Sequence, residues 1–124
     1  MRAKIKVWIE NDKGEILFGE GKTKLLEMIE ELGSISKAAQ ECGIDYKKAW
    51  NHVKLIEEKI KDPIIVRKKG GKDGGGSTLT PKGKELIEAY KNMREEMLRL
   101  CDEKYSEHFI IEGEPIVLPS EEKS

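Results

Sequence analysis

Apolar residues recur along this chain with two periods, and the changes between them mark out its elements. Between Ala3 and Ile9, the residues Ile5, Val7 and Ile9 alternate with Lys4 and Lys6, and Ile16-Leu17-Phe18 follows the turn formers Asn11, Asp12 and Gly14. A two-residue period broken by such a turn predicts a β-hairpin. From Lys22 to Leu32 the period lengthens, placing Leu25, Leu26, Ile29 and Leu32 on one helical face, and Gly33 supplies a left-handed stop. A short second helix is predicted through 37–42, capped by Ser34 or Ser36 and ended at Gly43. Asp45 then caps a third, with Tyr46, Ala49, Trp50, Val53, Ile56 and Ile60 as its apolar face.

Asp62-Pro63 stops that helix, because proline disfavours the α conformation in the residue before it. Ile64, Ile65 and Val66 predict a short strand running into Arg67-Lys68-Lys69, and after the glycine-rich stretch 70–76 the residues Ser77-Thr78-Leu79 can pair back on it. Thr80-Pro81 opens a fourth helix, a hydroxyl cap followed by proline in the first turn, expected to run to near Tyr105. Phe109-Ile110-Ile111 reads as tail or short strand. The order is that of a winged helix-turn-helix, mainly α with small β: residues 1–80 form the domain with its hairpin and wing, 81–105 a long dimerisation helix, and 106–124 an acidic tail.

Composition sharpens this picture through the placement of charge. The 124 residues carry a net charge of -1, yet residues 44–84 hold 11 basic and 5 acidic side chains, while 85–124 hold 5 basic and 11 acidic. A basic middle beside an acidic end fits a middle that faces a polyanion. No apolar run approaches the length of a membrane span, and the polar start does not resemble a signal peptide, so a cytoplasmic protein with no membrane partner is expected. Cys42 and Cys101 stand alone, giving no disulfide framework and no zinc spacing, and no cofactor or metal is expected.

The candidate chemistry sits on the third helix and the wing. Ala38 and Ala39 are small enough for the second and third helices to approach, Gly43 permits the turn between them, and the third helix is left to present Lys47, Lys48, Asn51, His52 and Lys54 outward. Asn51 can contact adenine through both groups of its amide, and lysines can meet guanine or phosphate. Ser36, Tyr46, Lys47, Lys48, Asn51, His52 and Lys54 are therefore the expected duplex contacts, joined by Arg67, Lys68, Lys69 and Lys72 on the wing, whose glycines let the backbone approach DNA. The glycines do not form a nucleotide loop, because Lys72 is followed by Asp73. No Ser-His-Asp set or paired carboxylate site can be placed, so an enzyme is not expected.

On the fourth helix Leu86, Tyr90, Met93, Met97 and Leu100 follow heptad spacing, which predicts the seam of a homodimer with two recognition helices one DNA turn apart. The competing function is a protein-interaction adaptor that uses this helix and the apolar tail.

Four segments taken together closely resemble the DNA-binding domain of the ModE-type molybdate-responsive regulators: Gly-Ser-Ile-Ser-x-Ala-Ala from Gly33, Tyr-Lys-x-Ala-Trp from Tyr46, the glycine wing from Gly70, and Leu-Thr-Pro-x-Gly from Leu79. LysR-type regulators share the first and last elements more distantly. The resemblance implies a winged-helix dimer that represses or activates genes for oxyanion uptake and cofactor synthesis. Full-length members of that family carry molybdate-binding β-barrel domains after the DNA-binding domain, whereas here a fourth helix and a short acidic tail follow it, and no sensor domain is expected. Three outcomes stay open: constitutive action, a separate sensor subunit, or an effector pocket elsewhere in the chain. Asp45 stands where the family often has a small hydroxyl residue, and either can cap the helix.

Overall fold

The computed structural model of the protein describes residues 1–68, 76–111 and 114–115, so Lys69 and Lys72 of the predicted wing lie outside the described residues. The described elements run β1 (Ile9–Glu10), β2 (Ile16–Phe18), α1 (Glu20–Leu32), α2 (Ile35–Glu41), α3 (Tyr46–Ile60), β3 (Ile65–Lys68), β4 (Gly76–Leu79), α4 (Pro81–Phe109), β5 (Ile110–Ile111) and β6 (Glu114–Pro115). This is the mainly α, small-β winged helix-turn-helix that the periodicities predict. Packing divides the chain into two units, Trp8–Tyr90 and a second made of Met1–Val7 with Lys91–Ser124.

In the Trp8–Tyr90 unit the helix ends are set by local chemistry. Gly33 closes α1 at φ 68, a left-handed conformation that costs glycine little. Ser34, rather than Ser36, caps α2 by accepting from Lys37 N at 3.1 Å, and Asp45 caps α3 by accepting from Lys48 N at 2.8 Å. Between them Gly43 turns the chain at φ 70. The predicted apolar faces meet in one core of Leu25, Leu26 and Ile29 from α1, Ile35, Ala38 and Ala39 from α2, and Ala49, Val53 and Ile56 from α3. Leu17 and Phe18 of β2, Ile64, Ile65, Leu79 and Ile87 complete it.

The wing is an antiparallel pair in which Ile65, Val66, Arg67 and Lys68 face Leu79, Thr78, Ser77 and Gly76. Two glycines let its backbone lie close to neighbours. A Cβ on Gly76 would stand 2.7 Å from the Gly33 carbonyl oxygen, and one on Gly83 would stand 2.7 Å from that of Ile64. Thr80 fixes the same junction: its hydroxyl donates to Pro63 O at 2.8 Å and accepts from Gly83 N at 3.1 Å, while its amide donates to Ile64 O at 2.9 Å. The backbone carbonyl met by a new Cβ at Gly83 cannot swing away as a side chain would. Gly83→Ala is therefore expected to destabilise the fold by about 1–3 kcal/mol, the usual cost of overpacking, and the shift of a urea unfolding midpoint measures it.

The first predicted strand is much shorter than expected. Only Ile9 and Glu10 pair with β2, in a register broken by an irregularity between them. β2 is three residues long and leaves no partner for residues 3–8. In the second unit Ala3 and Ile5 lie instead along a groove of about 450 Å³ with Met97, Leu100, Cys101 and Phe109, and the Tyr105 hydroxyl donates to Met1 O at 3.2 Å. Their alternation thus does not produce strand pairing, and Ile5 stays 41% exposed. α4 continues four residues past its predicted end, to Phe109, whose ring stacks on Tyr105 at 5.6 Å between centroids. Ile110–Ile111 then forms the short strand allowed for that stretch, paired with Glu114–Pro115.

The candidate nucleic-acid interface

α3 presents four differently used sides. Ala49, Val53 and Ile56 face the core, and the opposite side carries Lys47, Asn51, Lys54 and Glu58, all exposed, with exposed Lys48 beside them. One flank bears Tyr46, Trp50 and Glu57 and meets the wing. The other bears Lys48, His52 and Leu55 and borders the N-terminal hairpin.

The wing flank is built around Arg67. Its guanidinium sits 4.5 Å from the centre of the Trp50 ring, and Nη2 donates to the Tyr46 hydroxyl at 2.7 Å. Tyr46 and Trp50, one helical turn apart, pack edge to face with centroids 6.4 Å apart. Tyr46 is 47% exposed and so does not join the apolar core face predicted for it; its hydroxyl needs a polar partner, and Arg67 on the surface provides one. Trp50, read from sequence only as a core residue, is half-buried and serves as the platform for Arg67. The planar guanidinium stacks on an aromatic face as an ammonium cannot. Ser36 is exposed in the first turn of α2, and Lys68 is the last residue of β3.

Two carboxylates that the sequence reading passed over hold the wing at its base. Glu57 Oε2 accepts from Ile64 N at 2.8 Å and from Ile65 N at 3.4 Å, which ties β3 to α3. Glu30 Oε2 accepts from Leu79 N at 2.7 Å and from the Thr78 hydroxyl at 3.0 Å, while Lys84 lies 3.5 Å from Oε1. The Leu79 amide holds the Glu30 carboxyl below its ordinary range against the opposing effect of partial burial, helped by Thr78 and Lys84. Neither glutamate lies on an apolar face or in a motif, so only the fold reveals its partner.

One predicted contact is corrected. His52 faces inward and is 4% exposed, so it does not join the outward row. It falls three residues after Ala49 and four before Ile56, the spacing of the core face, and its buried Nε2 has no hydrogen-bond partner among the described residues. Burial pushes its pKa down to about 4, and the nearby charge of Lys22 adds to the shift, so the ring is neutral near pH 7.

The predicted dimer seam also divides. Tyr90 is 3% exposed and is already covered within the single chain, which removes it from a surface that could meet a second copy. Leu86 and Met93 are half-buried, and Met97 and Leu100 are 36% and 41% exposed. A heptad period records an apolar face without recording what covers it. Among the described residues no helix is long and apolar enough to cross a membrane.

Residues 22–84 match the sequence profile of the bacterial regulatory helix-turn-helix proteins of the lysR family, from α1 to the start of α4. The chain belongs to that family. The chain is also similar to three larger proteins whose names refer to molybdenum or to ModE. The molybdenum-pterin-binding protein MopB of Rhodobacter capsulatus is 44% identical over 72 residues, covering 58% of this chain and 27% of that protein. The molybdenum transport protein ModE of Azotobacter vinelandii is 34% identical over 94 residues, 76% of this chain and 34% of that one. The DNA-binding transcriptional dual regulator ModE of Escherichia coli K12 is 39% identical over 69 residues, 56% of this chain and 26% of that one. The chain thus spans about a quarter to a third of these relatives. The crystal structure of ArgP from Mycobacterium tuberculosis, at 22% identity, matches 71% of this chain and 31% of its own with a TM-score of 0.50, a likeness of fold.

Proposed function

We propose that this protein binds double-stranded DNA sequence-specifically as a homodimer and regulates transcription of genes tied to molybdate or tungstate metabolism. The observation that carries the reading is the outward side of α3: Lys47, Lys48, Asn51 and Lys54 are exposed together while the reverse of the same helix is core. Such a helix can lie in a major groove with its amide and ammonium groups against base edges and phosphates, and Arg67 is held beside it at the base of the wing. The names of the molybdenum proteins and ModE regulators above support the choice of target genes. Selecting bound fragments from genomic DNA, with and without molybdate, tests both parts. Recovery of one recurrent sequence upstream of oxyanion-uptake or cofactor genes is expected, and recovery of random fragments at every salt concentration would defeat the reading.

Arg67 offers a narrower check. Arg67→Lys keeps the charge but gives up the stack on Trp50 and the bond to Tyr46, and a surface cation–π contact contributes about 0.5–1 kcal/mol. Duplex affinity is expected to fall about two- to fivefold in an anisotropy titration.

Dimerisation is supported by the part of the heptad seam still exposed, Met97 and Leu100. A double substitution, Met97→Glu with Leu100→Glu, places like charges across a two-fold seam. Sedimentation should then show a monomer where the wild-type chain shows a dimer.

A further inference from the structure

The flank of α3 away from the wing holds a groove of about 810 Å³, bounded by Gly14, Glu15 and Ile16 of the hairpin, Lys22 of α1 and the Lys48–Leu55 flank of α3. We propose that this groove is a phosphate site in which Lys22, Lys48 and Lys54 hold a tetrahedral oxyanion, the duplex backbone being its natural source. The proposal rests on the duplex-binding reading of α3 and adds to it Lys22, a residue of α1 that lies outside the expected duplex contacts.

Three observations converge on this chemistry. Lys22, Lys48 and Lys54 come from two helices to line one groove with the Asn51 amide, and none of the three has an ion-pair partner among the described residues. Their mutual repulsion is thus relieved by neither fold nor pairing, which disfavours a cation and favours an anion. Two carboxylates also line the groove, Glu15 and Glu58, against the three ammonium groups, which leaves an excess of one positive charge. The third observation is His52, which lines the same groove with a buried Nε2 that has no partner within the described chain. Its ring borders the groove, so its signals report on what enters beside Lys22.

The position fits the backbone of a duplex. A helix with its side chains is about 10–12 Å across, and the major groove is about 12 Å wide. When the outward side of α3 faces the bases, its two flanks lie against the two bordering phosphate chains. Arg67 then serves one chain, and Lys22 with Lys48 serves the other.

Anisotropy titrations of the full chain with a selected and a random duplex, over a range of salt, decide the matter for Lys22→Ala and Lys22→Arg. Lys22→Ala is expected to weaken both duplexes about equally, severalfold near physiological salt, and to reduce the log-log salt slope by about 0.9 for each protomer, about 1.8 for the dimer on its duplex. Lys22→Arg should restore both, and thermal unfolding should show the variants folded. An unchanged slope in folded Lys22→Ala would overturn the duplex assignment. A second arm uses inorganic phosphate without DNA and follows the ring signals of His52, with exposed His108 as the internal control. A saturable shift of His52 that Lys22→Ala abolishes identifies a free oxyanion as a ligand. If His52 does not respond and the slope does not change, there is no phosphate site. If the wild-type chain binds no duplex at all, the functional reading of α3 fails, and the phosphate arm alone then judges the groove.

Discussion

Alanine at Lys47, Lys48 and Asn51 together is expected to weaken binding to the selected duplex by about a hundredfold or more while leaving the fold intact. A good paired contact to a base edge discriminates by about 1–3 kcal/mol, and the triple change removes two such donors, Lys47 and Asn51, together with the Lys48 contact to the backbone. The loss should be smaller on random duplex, because Lys54 and the wing still meet phosphates and nonspecific binding is mostly electrostatic. The fold should tolerate the change for reasons visible at each position. All three side chains are exposed, the cap on Asp45 uses the Lys48 backbone amide and not its side chain, and alanine suits a helix better than asparagine does. Circular dichroism and anisotropy on the same sample separate the two quantities. A folded triple variant that still prefers the selected sequence as strongly as the wild type would show that α3 is not the reading element.

The parts of this fold that were legible in the sequence are those decided within a few residues. Gly33, Ser34, Gly43, Asp45 and Thr80-Pro81 mark helix ends because each meets a backbone requirement at its own position: a positive φ, a side-chain acceptor for an orphan amide, or a missing donor where none is needed. The buried face of α1 follows from spacing at Leu25, Leu26 and Ile29, whereas Leu32, at the same spacing in the last turn, is 38% exposed. Misplaced features depend on what another element supplies. Ile5 and Val7 alternate like a strand, but β2 has no residues left to pair with them. Tyr46 sits at a core spacing and turns out to solvent because Arg67, twenty-one residues later, is a better partner for its hydroxyl than the core.

The candidate site shows the same division. Lysine and asparagine on one side of α3 are legible because a charged or amide side chain at regular spacing has few ways to be buried. Histidine escapes that rule, since its neutral ring is bulky and only moderately polar, and pattern alone does not separate a donor for DNA from a core residue. Tyr90 shows a related limit: spacing locates an apolar stripe but not the surface that covers it, and Tyr90 is buried within the single chain. Glu30, Glu57 and Lys22 carry no local signature, because each acts on a residue or groove brought to it only by folding.

Acidification between about pH 6.5 and pH 4 is expected to remove about 3 kcal/mol of stability through His52 alone. The sign follows from the direction of the shift. Unfolded, the ring has the ordinary value of 6.5; folded, burial and the Lys22 ammonium lower it to about 4, so the fold favours the neutral form. The stabilisation is complete above the unfolded value and is lost as the pH falls through the folded one. Below that point the ring is charged in both states and the contribution stays flat. Glu30, also lowered, acts further down the scale from its ordinary 4.5, so the two losses are separable. Urea unfolding at stepped pH measures the effect, and His52→Leu, close in volume and unable to titrate, should lose much less stability across the same window. Ring signals of His52 in the wild type should titrate near 4 while the protein remains folded, and Lys22→Ala should raise that midpoint by removing the secondary cause. Parallel stability curves for wild type and His52→Leu between pH 4 and 6.5 would mean that the ring accepts its proton freely, and hence that it faces water on the outward side of α3 with the lysines.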